Sequence, residues 1–150
     1  MKGGIEMKVK ECMCHNVVSV TPSSTICDCA KLMCNEHIGC VPVCNKDKNI
    51  VGLVTDRDVI LRCIASGKDI NTTPVSDIMT SKVCCCSENE EITNAQKTMS
   101  EYQIRRLPVV DDNNKVIGIL TLGDLCKNEN INNVGETIEN ICKCNTKNAE

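Results

Sequence analysis

The chain is written twice. Displaced by 66 positions, the distance from Gly52 to Gly118, the stretch Met13 to Ile60 aligns without a gap on Met79 to Cys126. Identities fall at Met13/Met79, Val17/Val83, Ile26/Ile92, Lys31/Lys97, Met33/Met99, Ile38/Ile104, Pro42/Pro108, Val43/Val109, Gly52/Gly118, Thr55/Thr121 and Asp58/Asp124. An internal repeat restricts a fold more than any local propensity does, because both copies must adopt the same supersecondary unit.

Each copy reads as the same order of elements. In the first, Val17 to Val20 is expected to be a short strand, and Thr25-Ile26-Cys27-Asp28 has the capping-box spacing that opens a helix running to about His37. Ile26, Cys29, Ala30, Met33 and His37 share one side of that helix. A strand over Cys40 to Cys44, the polar turn Asn45 to Asn49, a β-branched strand over Ile50 to Val54 and a helix over Asp56 to Ala65 follow. The second copy repeats this with a strand at Val83 to Cys86, a helix from about Glu91 to Tyr102, strands at Leu107 to Val110 and Val116 to Leu120, and a helix from Leu122. The expected fold class is therefore α/β (α+β), with two β-α-β-β-α repeats packed about a pseudo-twofold axis. Expected boundaries are 1–66 for the first repeat with its N-terminal segment, 67–74 for a linker, 75–128 for the second repeat, and 129–150 for a terminal helix, Val134 to Cys142, and a polar tail. A unit of roughly 55 to 60 residues buries too little surface to be comfortable alone, so the copies are expected to pack together and to leave clefts between them.

Composition excludes several functions. In 150 residues, 17 Lys plus Arg stand against 20 Asp plus Glu, which gives no broad cationic surface for nucleic acid. No run approaches the ~20 apolar residues of a membrane span, and MKGGIEMKVKE has no apolar signal region, so a cytoplasmic protein is expected. In a reducing compartment the 14 Cys are expected to be free thiols that pack as small hydrophobes, since Phe and Trp are absent and Tyr102 is the one aromatic. The repeat supports this: Cys84 and Cys86 face Val18 and Val20, Cys44 faces Val110, Cys126 faces Ile60, and Cys29 faces Ala95. No Walker, GxSxG or HExxH motif is present, and no catalytic residues are expected.

The stretches DIMTSKV, HIGCVPV and QIRRLPVVD, followed after a turn by IVGLVTDRD and VIGILTLGD, resemble tandem cystathionine-β-synthase-type domains, called CBS domains, over about Lys8 to Lys127. The resemblance implies a pair that often associates with a second pair, here a homodimer, and that binds adenosine compounds such as AMP, ADP, ATP or S-adenosylmethionine as a non-catalytic sensor. It implies no required cofactor, an adenine nucleotide as regulatory ligand, and a protein target that the sequence leaves unknown.

Thr55-x-x-Asp58 and Thr121-x-x-Asp124 satisfy a capping box in which nothing need be bound. The same geometry lets the Asp accept from both hydroxyls of a ribose while helix N–H groups and the Thr hydroxyl favour phosphate; the resemblance assigns these roles to the same residues. For adenine, the strand starts Gly39-Cys40-Val41-Pro42 and Arg105-Arg106-Leu107-Pro108 are candidates, with Val17 and Val83 on the entry strands. Phosphate needs cations, and Arg57, Arg105 and Arg106 are the candidates, with Lys82 weaker. The two clefts differ, because Arg57 stands where the second copy has Gly123, and Arg105 and Arg106 stand where the first has Gly39 and Cys40. The rival reading is a Cys-rich metal-binding or thiol-redox assembly protein on the same scaffold, drawing on Cys12-x-Cys14-His15, Cys34-x-x-His37-x-x-Cys40, Cys84-Cys85-Cys86 or Cys142-x-Cys144, with Cys12, Cys14, Cys142 and Cys144 forming one metal site if the two ends of the chain meet.

Overall fold

A computed structural model describes residues 6–128 and 134–143. In chain order it contains α1 (Val9–Cys12), α2 (Ile26–Glu36), β1 (Cys40–Cys44), β2 (Ile50–Thr55), α3 (Asp56–Asp58), a π-helix at Val59–Ile64, a single 3-10 turn at Val75–Asp77, β3 (Cys86–Ser87), α4 (Ile92–Tyr102), β4 (Arg106–Val110), β5 (Val116–Thr121), α5 (Leu122–Cys126) and α6 (Val134–Cys142). The mixed α+β character and the doubling of the α-β-β-α order are both as expected. Duplication extends to unusual backbone: His37 and Gln103 each take a left-handed conformation after α2 and α4, as do Lys48 and Asn114 in the two turns.

Differences from the sequence reading are local and have physical causes. Along Val17 to Val20 only Val20 joins the ladder, in one parallel bridge to Val43, with Val20 N–H donating to Pro42 O and Cys44 N–H to Val20 O. In the second copy the pairing falls at Cys86 and Ser87, beside Val109 and Val110, instead of over Val83 to Cys86. His37 is the exposed C-cap of α2 and not part of its buried face, which holds Ile26, Cys29 and Met33. The helix expected over Asp56 to Ala65 is α-helical only at its start. It then widens, with Ala65 N–H donating to Ile60 O at 2.9 Å and Lys68 N–H to Cys63 O at 3.0 Å, both five residues back. That winding places Val59 and Cys63, four residues apart, in the core together.

The chain forms two compact units. One comprises Val17–Cys84 with Asp112–Val116; the other comprises Met1–Asn16, Cys85–Asp111 and Ile117–Glu150. In the first, antiparallel β1 and β2 pair with Cys40 opposite Thr55 and Val43 opposite Gly52. Their core contains Ile26, Cys29 and Met33 from α2, Val41, Val43 and Val54 from the strands, Val59 and Cys63 from the π-helix, and Val75 and Ile78 beyond it. In the second unit, β3, β4 and β5 adjoin in that order, with β3 parallel to β4. Gln103 there donates to the carbonyls of Asn140 and Lys143 at 3.2 and 2.9 Å, tying the end of α6 to the end of α4.

Two glycines are fixed by the segments that cross them. Thr80 pairs with Leu53 in one unit and Cys14 with Ile119 in the other, so the preceding methionines, Met79 and Met13, lie against Gly52 and Gly118. A Cβ on Gly52 would meet the Met79 sulfur and stand 3.2 Å from Thr80 O; one on Gly118 would meet the Met13 sulfur and stand 3.0 Å from Cys14 O. The backbone carbonyls cannot swing away as a side chain would. Gly118→Val should therefore destabilise the protein by ~1–3 kcal/mol through overpacking, measured as a lowered midpoint in urea denaturation.

Candidate functional site

The two hinges that join β2 to α3 and β5 to α5 are built alike. Each strand ends in a threonine with extended backbone, and the next residue starts the helix. In the first hinge, Thr55 Oγ1 accepts from Asp58 N–H at 3.2 Å while Asp58 Oδ2 accepts from Thr55 N–H at 2.9 Å. In the second, Thr121 Oγ1 accepts from Asp124 N–H at 3.1 Å and Asp124 Oδ2 accepts from Thr121 N–H at 2.9 Å. Both are complete capping boxes. The first helical residue of each hinge is tied to the start of the neighbouring strand, Asp56 N–H to Gly39 O at 3.0 Å and Leu122 N–H to Arg105 O at 2.9 Å. Thr55, Asp58 and Gly39 are thereby brought together in one unit, and Thr121, Asp124 and Arg105 in the other.

The capping box consumes one carboxylate oxygen and leaves the second. Asp124 Oδ1 has no hydrogen bond or ion pair among the described residues. Asp58 Oδ1 lies 3.6 Å from Arg62 Nε, and the Arg62 guanidinium also donates to Ile78 O at 3.1 Å. Asp56 differs from its counterpart Leu122 in charge: its Oδ1 accepts from Arg57 N–H at 2.9 Å, and its carboxylate packs against Gly39, where a Cβ would come within 2.8 Å of Oδ2. Asp56 and Arg62 did not figure among the sequence-based candidates. The four-residue spacing of Asp58 and Arg62 was the signal for the pair, whereas nothing in the sequence places Asp56 against Gly39.

The remaining candidates divide by exposure. Arg57 and Arg105 are exposed and Arg106 is half-buried, and none of the three has an ion pair among the described residues. Cys40, Val41, Pro42, Leu107 and Pro108 are buried, so the strand starts present surface chiefly through Gly39, Arg105 and Arg106. Val17 and Val83 are half-buried and Lys82 is exposed; all three belong to the unit that holds Asp58. Hollows of about 380 and 230 Å³ run along α4 and α6, lined by residues such as Ser100, Gln103, Thr137 and Asn140, and share no residue with either hinge.

The thiols divide between core and surface: Cys29, Cys40, Cys44, Cys63 and Cys86 are buried, while Cys14, Cys34, Cys126 and Cys142 are exposed. No disulfide joins the described cysteines, and Cys144, one of the proposed metal ligands, lies outside the described residues. Among the described residues no group of three or more His, Cys, Asp or Glu is placed to hold a metal ion. Burial pushes the Cys29 thiol up to about 11 and, reinforced by the nearby Glu90 carboxylate, the Cys86 thiol up to about 12. Cys12 and Cys44 are raised for the same first cause. No helix among the described residues is long and apolar enough to cross a membrane.

Comparison with known proteins places these features in company. A family model described as "CBS domain" matches twice, at residues 9–64 and 75–130. The CBS domain-containing protein YhcV of Bacillus subtilis is 40% identical over 134 residues, which cover 89% of this chain and 94% of YhcV. The CBS domain pair of protein MJ0100, solved in complex with 5'-methylthioadenosine and S-adenosyl-L-methionine, superposes with a TM-score of 0.72 at 28% identity, over 81% of this chain and 94% of that one. Hypoxic Response Protein I, solved with two coordinated zinc ions, superposes with a TM-score of 0.75 at 28% identity, over 81% of this chain and 98% of that one.

The thiol environments give a direct test. Cys29 and Cys86 should resist iodoacetamide in the native state while the exposed Cys14, Cys34, Cys126 and Cys142 are alkylated, as read by peptide mass spectrometry. A thiol whose folded pKa is raised adds stability that is complete below its unfolded pKa of about 8.5 to 9 and is lost as pH rises through the folded value. The urea midpoint should accordingly fall between pH 9 and pH 12, and replacing Cys86 with Val should flatten that decline.

Proposed function

Because the chain belongs to the CBS-domain family and carries both copies of the domain, we propose that it is a regulatory, non-catalytic protein that binds an adenosine compound. AMP, ADP, ATP and S-adenosylmethionine are the candidate ligands. The observation that carries this reading is the second carboxylate oxygen of Asp124. A capping box needs one oxygen of its carboxylate, so the other, on a half-buried residue and with no partner among the described residues, is an acceptor available to a sugar hydroxyl. The complex of the MJ0100 domain pair with two adenosine-containing molecules supports the ligand class.

In this reading Thr55, Asp58, Thr121 and Asp124 hold ribose and the first phosphate. Gly39, Cys40, Val41 and Pro42, Arg105, Arg106, Leu107 and Pro108, with Val17 and Val83, frame the base; Arg57, Arg105, Arg106 or Lys82 supplies the phosphate contact. The protein works in the cytoplasm, needs no cofactor, contacts neither membrane nor nucleic acid, and signals to a protein target. Such a sensor functions only through a difference in ligand affinity between two of its states.

Homodimerisation belongs to the same proposal and has its own support. The π-helix sequence VILRCI is apolar on nearly every side, with Val59 and Cys63 buried but Ile60, Leu61 and Ile64 exposed at 55%, 48% and 59%. A helix apolar all round is stable when covered on both sides. The described metal-ligand types form no cluster, so the zinc of Hypoxic Response Protein I lends this chain only an assay, metal content by mass spectrometry, in which stoichiometric zinc would favour the rival metal-binding role.

Calorimetric titration with AMP, ATP and S-adenosylmethionine should give saturable binding of at least one. A charge-assisted hydrogen bond contributes ~1.5–3 kcal/mol, so Asp58→Ala and Asp124→Ala should each weaken their own site roughly tenfold or more, with circular dichroism confirming the fold. Heat from none of the three ligands, or affinity undiminished in the double variant, would defeat the proposal. Leu61→Glu should convert a dimer to a monomer in sedimentation equilibrium.

A further inference from the structure

The two copies of the hinge carry the same capping box with different neighbours, and each difference acts on a different part of a nucleotide. Beside Asp58 stands Arg62, whose Nε lies 3.6 Å from the outer oxygen Oδ1 and whose position is held by a hydrogen bond to Ile78 O. The Asp58 side chain is only 14% exposed, so that oxygen has little room for a further partner. The residue 66 positions after Arg62 is Asn128, and the one 66 before Ile78 is Cys12. Asn128 makes the corresponding reach, Nδ2 to Cys12 Sγ at 3.5 Å, but brings no cation to Asp124. The contact is duplicated and the charge is not.

The second difference concerns phosphate. Asp56 opens the first hinge and lays its carboxylate against Gly39, at the start of the neighbouring strand. In the second hinge the same two positions are Leu122 and Arg105, joined by the hydrogen bond from Leu122 N–H to Arg105 O at 2.9 Å. An anion approaching the first strand start meets a carboxylate; at the second it meets an unpaired guanidinium with another from Arg106 next in sequence. Arg57 offsets this only in part, because it follows Asp56 directly and is exposed, so its charge stands beside the Asp56 carboxylate.

We propose that the protein fills its two hinges in a fixed order, the Asp124 hinge taking an anionic adenosine ligand first, because the Asp58 hinge is occupied by its own Arg62 and screened from phosphate by Asp56. The inference rests on the adenosine-binding reading and adds to it which site is used and which residues decide. Arg62 and Asp56 are specificity-determining residues of the first hinge. In the filled state of that hinge, Arg62 leaves Asp58 Oδ1 to the sugar.

Titration calorimetry with AMP as probe tests the order. An asparagine keeps one carbonyl oxygen to cap Thr55 or Thr121 and replaces the outer acceptor with a donor, so Asp58→Asn and Asp124→Asn separate ligand binding from folding. Asp124→Asn should weaken the first-filled site tenfold or more, and Asp58→Asn should remove the weaker event instead. The double substitution Asp56→Leu with Arg62→Asn installs the residues that the second hinge already uses. It should strengthen the weaker event about fivefold or more, since an i,i+4 ion pair of this partly exposed kind contributes up to ~1 kcal/mol and a repulsive carboxylate is removed as well. Loss of the first-filled site in Asp58→Asn, equal loss in both asparagine variants, or no gain in the double variant would overturn the order while leaving adenosine binding in place. Absence of heat with AMP, adenosine and S-adenosylmethionine alike would overturn the binding reading and the order with it.

Discussion

A reciprocal pair of hydrogen bonds at the end of a strand is the constraint on which the candidate site depends. A threonine hydroxyl accepts from the backbone of an aspartate three residues on, and that aspartate returns the bond to the backbone of the threonine. Such a cap contributes about 1 kcal/mol to a helix, and here α3 and α5 are too short to persist without it. Its second effect is geometric. One carboxylate oxygen is held 2.9 Å from a backbone nitrogen in each hinge, so the position of the other is set by the same bond. Stability of the turn and orientation of the free acceptor are then one property. An empty cap and a binding group are not exclusive readings of this residue, because capping uses one carboxylate oxygen and leaves the second.

Duplication supplies that constraint twice and leaves the surroundings free to diverge. Positions that close the backbone agree between the copies: the capping threonine and aspartate, the glycine under the crossing methionine, and the left-handed residues at 37 and 103 and at 48 and 114. Positions that touch only the outer oxygen or the strand start disagree, with Asp56 against Leu122, Arg62 against Asn128, and Gly39 against Arg105. This is the pattern physical chemistry expects when shape is shared and charge is not. A substitution at Gly118 meets a backbone carbonyl at 3.0 Å and is costly, whereas an exchange of Arg62 for Asn changes an ion pair and a side-chain hydrogen bond to Ile78 O without touching the backbone path.

Much of the fold was legible because its signals are local. The strands at Cys40–Cys44 and Ile50–Thr55, the caps at Thr25, Thr55 and Thr121, and the terminal helix Val134–Cys142 are all written in short-range patterns. What escaped depends on partners far along the chain. Val17 to Val20 has the composition of a strand but gains a ladder contact only at Val20, and composition cannot say which edge a segment reaches. The π-helix at Val59–Ile64 arises where core positions fall four residues apart, a spacing that an α-helix also tolerates, so the sequence does not distinguish the two. At the hinges the capping residues were readable by spacing. The carboxylate of Asp56 against Gly39 was not, since it follows from the hydrogen bond between Asp56 N–H and Gly39 O that folds the junction back on the strand start.

The cysteines follow the same division between what packing fixes and what it leaves open. With no Phe or Trp, this interior is assembled from small and branched groups, and Cys29, Cys63 and Cys86 fill positions whose counterparts or neighbours are Ala, Val and Ile. For Cys29 and Cys86, ionising the thiol would put charge in a buried site, and their raised values express that cost. Burial therefore removes these cysteines from redox and metal chemistry by the same means that makes them good core residues. The exposed thiols at Cys14, Cys34, Cys126 and Cys142 keep their reactivity but, among the described residues, lie apart from any cluster. A side chain is available for a chemical role when a polar atom is held near the surface with its hydrogen bonding incomplete; among the described residues the half-buried hinge aspartate Asp124 meets that condition while the buried thiols do not.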